Sequence, residues 1–467
     1  MFPESVRQSK IKNEIGGSVA LTLEVDQLLS EKRLRKAERR RWRETKRQRK
    51  LVEARRLRAL RFGDSSRIIR MMADSFKPDV KYDRRRTALE IPEVFSILDD
   101  PESALKLILG FAKVTRLYRV RRLQFDQSRL KIYDLAANSL LDMIASEMKL
   151  EARQSGAMLR FSGRYPNDVS VKRFIKSLGI VKHLDVRHEI ADEYEQEGIR
   201  VFERRKRHYD MPSDVAEADV KSRAASGFVD HINSCLQDNN RQLTRVARQV
   251  LGAYIGEILG NAEDHAGFVD WTIVGYLDNK LPRPTCEIAI FNFGSSIADT
   301  MNALDRQSYT WRQIQPFLWL HQGPKLFDRK WRARDLLTVI AMQANVSSKN
   351  RDEFDTRGQG TVELIEFFQK MCEECASDGG NGARMCILSG STYLLFDGKY
   401  RLKESPGRGK VIAFNAENTL HKRPDPAYVR SLGSLAFPGT VISIRFPLSA
   451  GSTVALGGKS NEQANGD

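Results

Sequence analysis

The chain of 467 residues has no apolar run near the ~20 residues that a membrane-spanning helix needs. Its first residues carry no apolar stretch of the signal-peptide kind. Only 5 Cys occur, at irregular positions, so no disulfide framework is expected. A reducing cytoplasm, with no membrane partner, is the expected setting. Cys372 and Cys375 form the only Cys-x-x-Cys, and no second Cys or His pair follows at zinc-finger spacing. His188-Glu189 lacks the second histidine of a zinc protease, and no Gly-x-Ser-x-Gly elbow is present. Gly458-Lys459-Ser460 ends like a phosphate-binding P-loop, but Thr453 stands where the first Gly belongs.

Gly and Pro are also missing from Ser30 to Arg61. Strong helix formers dominate that stretch, which predicts a continuous helix roughly 45 Å long. The formal net charge of +17 is concentrated there: residues 31–61 hold 16 Lys and Arg against 4 Glu. Its large apolar residues make no sustained stripe, so no coiled coil is expected. Three readings stay open: a solvated basic arm, an arm that touches nucleic acid, and one that meets an acidic protein or membrane surface.

Beyond this arm, residues 1–85 in all, strands and helices alternate over residues 86–200. Leu117–Phe125 and Met158–Phe161 are predicted strands. Residues 134–148 are a predicted helix, with Leu140, Leu141, Ile144 and Met148 at helical spacing. Asp168 is the expected N-cap of a helix over Val169–Leu178, stopped by Gly179. The alternation implies an α/β unit. Phe125-Asp126-Gln127-Ser128, then Tyr133-Asp134-Leu135-Ala136-Ala137, then Gly163 leading to Gly179, give this region a resemblance to STAS-like domains. That resemblance implies a module on which a partner protein docks. Regulatory STAS domains carry a Ser or Thr just after the Asp that starts the helix. Here Leu135 and Ala136 follow Asp134, so no phosphorylation switch is expected there. A charged linker, 201–224, follows, with Arg204 to Arg207 read as a solvated helical turn.

The chemistry lies in residues 225–448. Gln249–His265 reads as a helix with Val250, Ala253, Tyr254, Ile258 and Leu259 inward. Glu257 and Asn261 are spaced i, i+4 and share one face, with Asp264 and His265 in the next turn. A buried face of this kind is costly without a polar ligand. Asn261 offers an amide oxygen to a hard cation such as Mg²⁺, and Glu257 can accept a proton from water. Glu287–Phe291 is a predicted strand ending at Asn292-Phe293-Gly294-Ser295-Ser296-Ile297. Arg357-Gly358-Gln359-Gly360-Thr361 leads into a helix over Val362–Met371, an arrangement suited to phosphate. Pro438-Gly439-Thr440 opens a last strand, Val441–Phe446. Residues 449–467 form an expected disordered tail.

These four blocks, in this order, resemble the GHKL ATPases, the superfamily of histidine kinases, gyrase B, Hsp90 and MutL. The resemblance covers about residues 228–448. It implies an α/β sandwich that binds ATP and Mg²⁺, so that the expected fold is α/β and α+β: basic helix, STAS-like module, GHKL-type sandwich. It makes Asn261 the Mg²⁺ ligand, Glu257 the activator of water, and Gly358 and Gly360 the lid over the phosphates. Arg357 and Thr361 belong to the same lid. Asp264 and His265 continue the metal-binding helix. Gly294 and Ile297 are further nucleotide-binding positions, and Thr440 supports the adenine pocket. The family reads adenine with an Asp, and this chain has Asn292 there. The implied function is a regulatory, bacterial ATPase in signalling or defence. A serine/threonine kinase of the anti-sigma-factor type and a non-catalytic nucleotide sensor that binds nucleic acid are the alternatives. A homodimer is a further expectation. His231 lacks the context of a phosphoacceptor, so a complete sensor kinase is not expected.

Overall fold

The computed structural model describes residues 42, 46, 66–80, 88–118, 120–154, 156–177, 199–206, 217–265, 271–281, 283–322, 331–344, 346–347, 350, 359–377, 382–405, 409–448 and 450–456. For residues 154, 217–219, 261–265, 322, 359–360, 376–377 and 450 it describes the backbone alone. The predicted basic helix lies outside the described residues except for Trp42 and Lys46. Both are helical, and the Lys46 ammonium stands 4.6 Å from the Trp42 ring centroid.

Ser66–Asp467 forms one compact unit of mixed α/β structure. Helix α1 (Arg67–Ser75) starts where the Ser66 hydroxyl accepts the Ile69 N–H. Strand β1 (Ala88–Glu90) precedes helix α2 (Pro101–Leu117), whose Asp100 cap and first-position Pro favour initiation there. Strand β2 (Arg122–Asp126), helix α3 (Leu135–Gln154), strand β3 (Arg160–Arg164) and helix α4 (Val169–Ser177) follow. The three strands form a parallel sheet in the order β1-β2-β3, joined by helical crossovers.

The larger sheet begins with strand β4 (Val201–Lys206). Helices α5 (Glu217–Gln237) and α6 (Arg245–His265) come next, then strands β5 (Trp271–Asp278) and β6 (Thr285–Phe293). Helices α7 (Ile297–Asn302), α8 (Tyr309–Gln322), α9 (Ala333–Ile340) and α10 (Gln359–Ser377) lead to strands β7 (Arg384–Gly390), β8 (Thr392–Phe396), β9 (Val429–Ser431) and β10 (Phe437–Pro447). The seven strands pair antiparallel in the order β9-β8-β7-β10-β6-β5-β4.

Both faces of this sheet are covered, so all of β5 and almost all of β6 is buried, where an antiparallel sheet often wets one face. On one face Ile273, Ile288 and Ile290 share an apolar cluster with Ile255 and Ile258 of α6 and Ile365 of α10. On the other, Val274, Ala289 and Phe291 share a cluster with Met72 of α1 and Leu140 and Ile144 of α3.

A buried polar group lies within this second layer. Glu287 of β6 is fully buried and accepts the Leu135 N–H at 2.8 Å and the Tyr276 hydroxyl at 2.7 Å. Arg445 of β10 lies 3.3 Å from both its oxygens and donates to the Tyr133 carbonyl. Asp134 caps α3 by accepting the Ala137 N–H, and it also accepts the Leu98 N–H and the Ser96 hydroxyl. Burial, then the Glu287 charge, pushes the Asp134 carboxyl up to about 6.

Several expectations change. Leu117 ends α2 instead of opening a strand, because the helical ladder runs on until the Tyr118 N–H reaches the Val114 carbonyl. Met158 is exposed, and the strand begins at Arg160, where the backbone first pairs with β2. Leu178 and Gly179 lie outside the described residues. Arg204, Arg205 and Lys206 form an edge strand, not a solvated helical turn. Arg205 pairs with the buried Glu147 at 2.9 Å, and Lys206 is itself buried, so these charges have protein partners that favour the extended chain. In α6 Ala253 faces solvent while Leu251 and Ile255 are buried, which rotates the apolar stripe from the one expected. Order also extends past residue 449: Thr453–Ala455 pairs with Arg241–Leu243, and the Thr453 hydroxyl accepts from the Arg241 guanidinium. Among the described residues no helix is long and apolar enough to cross a membrane.

Candidate functional site

The site grows from the end of β6 and the start of β10. Asn292 and Thr440 face each other in register, and the Thr440 N–H donates to Asn292 Oδ1 at 2.8 Å. Gly439 allows this approach. Its φ is +135°, and a Cβ there would stand 2.1 Å from the Asn292 carbonyl oxygen. Gly294, with φ of 142°, turns the chain out of β6 and donates its N–H to the Pro438 carbonyl. Ser296 then caps α7 in a capping box with Asp299. One hydroxyl joins the two ends: Ser389 Oγ on β7 accepts the Ile297 N–H at 2.8 Å and lies 2.8 Å from Thr440 Oγ1.

Beside this junction is a cavity of about 110 Å³, several times the ~10–15 Å³ that one water needs. Ile258 of α6, Ile290 of β6, Met301 of α7 and Leu364 of α10 supply apolar wall. Asn292, Ser295, Ser347, Thr361 and Thr440 supply polar groups, all of them uncharged. The lining therefore sets one amide and several hydroxyls among apolar side chains. Thr361 is the third residue of α10, so the N-terminal turn of that helix opens on the cavity and favours an anion there.

Of the residues singled out from the sequence, Asn292, Ile297, Thr361 and Thr440 line the cavity, and Gly294 adjoins them. Glu257 does not line it. It is half-buried on α6, one residue before Ile258, which does. Asn261, Asp264 and His265 continue α6, and their side chains lie outside the described residues; Gly360 is the second residue of α10. Arg357 and Gly358 lie wholly outside them. Among the described residues no cluster of His, Cys, Asp or Glu could hold a metal ion. Buried Cys372 and Cys375 lie on α10, and burial pushes the Cys372 thiol up to about 12.

Sequence reasoning missed Ser347 and Ser389, which reach the site from 55 and 97 residues beyond Asn292 with no local signal. It also missed the Ser296-x-x-Asp299 capping pattern, which was readable. Gly439→Ala should force β6 and β10 apart, break the Thr440–Asn292 bond and destabilise the protein by about 1–3 kcal/mol. Thermal unfolding of the variant checks this, and an unchanged midpoint would contradict the close approach. No protein-family model matches the chain, and neither a curated protein nor a solved structure matches it.

Proposed function

We propose that the cavity binds a purine nucleoside triphosphate with Mg²⁺, and that the chain is a regulatory ATP-binding protein of the GHKL type. The observation that carries this reading is the convergence of separate sequence blocks on one uncharged slot: Asn292 from one, Thr361 from another, Thr440 from a third. The base fits between Ile258 and the sheet, and the phosphates extend toward the N-terminal turn of α10. Mg²⁺ would be held through Asn261 and the phosphates, since Mg²⁺ keeps several waters and needs few protein ligands. Asn261→Ala should weaken Mg–ATP binding at least tenfold, about 1.4 kcal/mol. Calorimetric titration of both proteins tests this, and equal affinities would remove Asn261 from the site.

The STAS-like module would read the nucleotide state through β6. This strand carries Asn292 at the cavity and Glu287 at the N-terminus of α3. A nucleotide that favours one arrangement of β6 would then favour one arrangement of the module. A second reading, a nucleotide sensor without catalysis, is favoured by the absence of Glu257 from the cavity lining. The basic arm would add non-specific nucleic-acid binding that weakens steeply with salt. Deleting residues 1–61 should abolish it and spare nucleotide binding. Oligonucleotide titrations at several salt concentrations check this, and unchanged affinity after deletion would clear the arm.

A further inference from the structure

We propose that the contact between the N-terminal module and the large sheet is a proton switch: Asp134 holds a proton there, and its release loosens the module from the sheet. The inference does not depend on the nucleotide reading. Its ground is one hydroxyl placed between two carboxylates. Val94–Phe95 and Ile132–Tyr133 pair in parallel, which sets the residues after them, Ser96 and Asp134, side by side. Ser96 Oγ lies 2.8 Å from Asp134 Oδ2 and 2.7 Å from Asp99 Oδ2, and it accepts the Asp99 N–H at 3.0 Å. A hydroxyl has one hydrogen to donate. With both carboxylates ionised, Ser96 satisfies one of them, and the other sets lone pair against lone pair at hydrogen-bond distance. A proton on Asp134 removes the conflict. Asp134 then donates to Ser96, Ser96 donates to Asp99, and Asp134 still accepts the Leu98 and Ala137 N–H groups.

The surroundings put the proton on Asp134 and not on Asp99. Partial burial pushes the Asp99 carboxyl up, but bonds from Arg384 of β7, at 2.6 Å, and from Ser96 outweigh it and hold it below its ordinary value. Asp134 is fully buried, and the cation that acts on it, Arg445 of β10, is already paired with Glu287 of β6. Cys386 of β7 also meets its field, and burial raises that thiol so that it adds no charge. Tyr393 of β8 donates to the Leu98 carbonyl and is kept neutral by burial, as are Tyr133 and Tyr276 beside Glu287. Burial, then Glu287, therefore carries Asp134 up to about 6. A carboxyl raised on folding stabilises the fold while protonated, and that contribution is lost as pH rises through about 6. Ionisation sets a second buried anion against Glu287 at the turn where α3 meets β6, because the Leu135 N–H is bound to Glu287. The cost falls on this contact.

The test is urea unfolding of the full chain between about pH 4.5 and 7.5, wild type beside Asp99→Asn. The Asn amide keeps an oxygen for Arg384 and gives Ser96 a donor, which frees the Ser96 hydroxyl for an ionised Asp134. Across this window the wild type should lose at least about fivefold more of its folded-to-unfolded ratio than the variant. Equal losses, or a larger loss in the variant, would overturn the proposal. Infrared spectra at about pH 5.5, where ordinary carboxyls are ionised, should show a protonated carboxyl in the wild type that Asp134→Asn lacks. No such difference would also overturn it. Hydrogen exchange of the wild type, corrected for the intrinsic effect of pH, decides the matter even if neither variant folds. Protection at Leu98 and the first turn of α3 should fall more steeply over the same window than protection of α10, on the opposite face of the sheet. An equal or smaller fall would contradict the switch.

Discussion

Glu257→Gln should leave nucleotide binding near the wild-type value and slow hydrolysis by about 10²–10⁴-fold, the usual contribution of a positioned general base. Gln keeps the length, the hydrogen bonding and the helix propensity of Glu, so α6 should be undisturbed. What it removes is the capacity to take a proton from water. Glu257 shares a helical face with Asn261, and the next residue, Ile258, lines the cavity. A base placed so would act on a water at the phosphates of a bound nucleotide. Single-turnover hydrolysis by the full chain, measured beside nucleotide affinity, separates the two effects. A variant that hydrolyses at the wild-type rate would remove Glu257 from catalysis. A wild type that binds without turnover would favour the sensor reading.

Glu287→Ala should destabilise the protein by about 3–5 kcal/mol, the usual cost of leaving one partner of a buried ion pair alone. Three donors lose their acceptor at once: the Leu135 N–H in the first turn of α3, the Tyr276 hydroxyl and the Arg445 guanidinium. No water can replace the carboxylate cheaply, because Glu287 is fully buried beneath the N-terminal helices. Pairing Glu287→Leu with Arg445→Met should recover much of the loss, since the uncompensated charge is then gone. Urea unfolding of the single and double variants measures both statements. A loss below about 1 kcal/mol in Glu287→Ala would mean that the apolar contacts around it, and not this cluster, hold α3 to the sheet.

What the sequence made legible was local. The α6 helix, the end of β6 near Gly294 and a last strand opening at Pro438-Gly439-Thr440 follow from residue types a few positions apart. Asp168 was readable as a cap for the same reason, and it accepts the Ser170 and Val171 N–H groups. What stayed hidden was set by distant pairing. Arg204 to Lys206 look like a solvated run until Glu147, 58 residues from Arg205, supplies a buried counter-charge. Nothing near Ser389 announces that its hydroxyl will cap the approach to Ile297, 92 residues away. The cavity wall beyond α9, at Met342 and Val346, likewise comes from a stretch with no motif of its own. Nor does any local pattern state that the N-terminal helices will cover the second face of the large sheet. The uninterrupted burial of β5 is the structural consequence of that covering.

Hydrogen–deuterium exchange of the full chain, with and without saturating Mg²⁺ and ATP or GTP, tests the nucleotide site most directly. It reports binding and its location together. Bound nucleotide should slow exchange at the end of β6 through Ile297, at the first turns of α10, and at the start of β10 around Thr440. Exchange unchanged at all three, or slowed only elsewhere in the chain, would contradict the assignment of this cavity to a nucleotide.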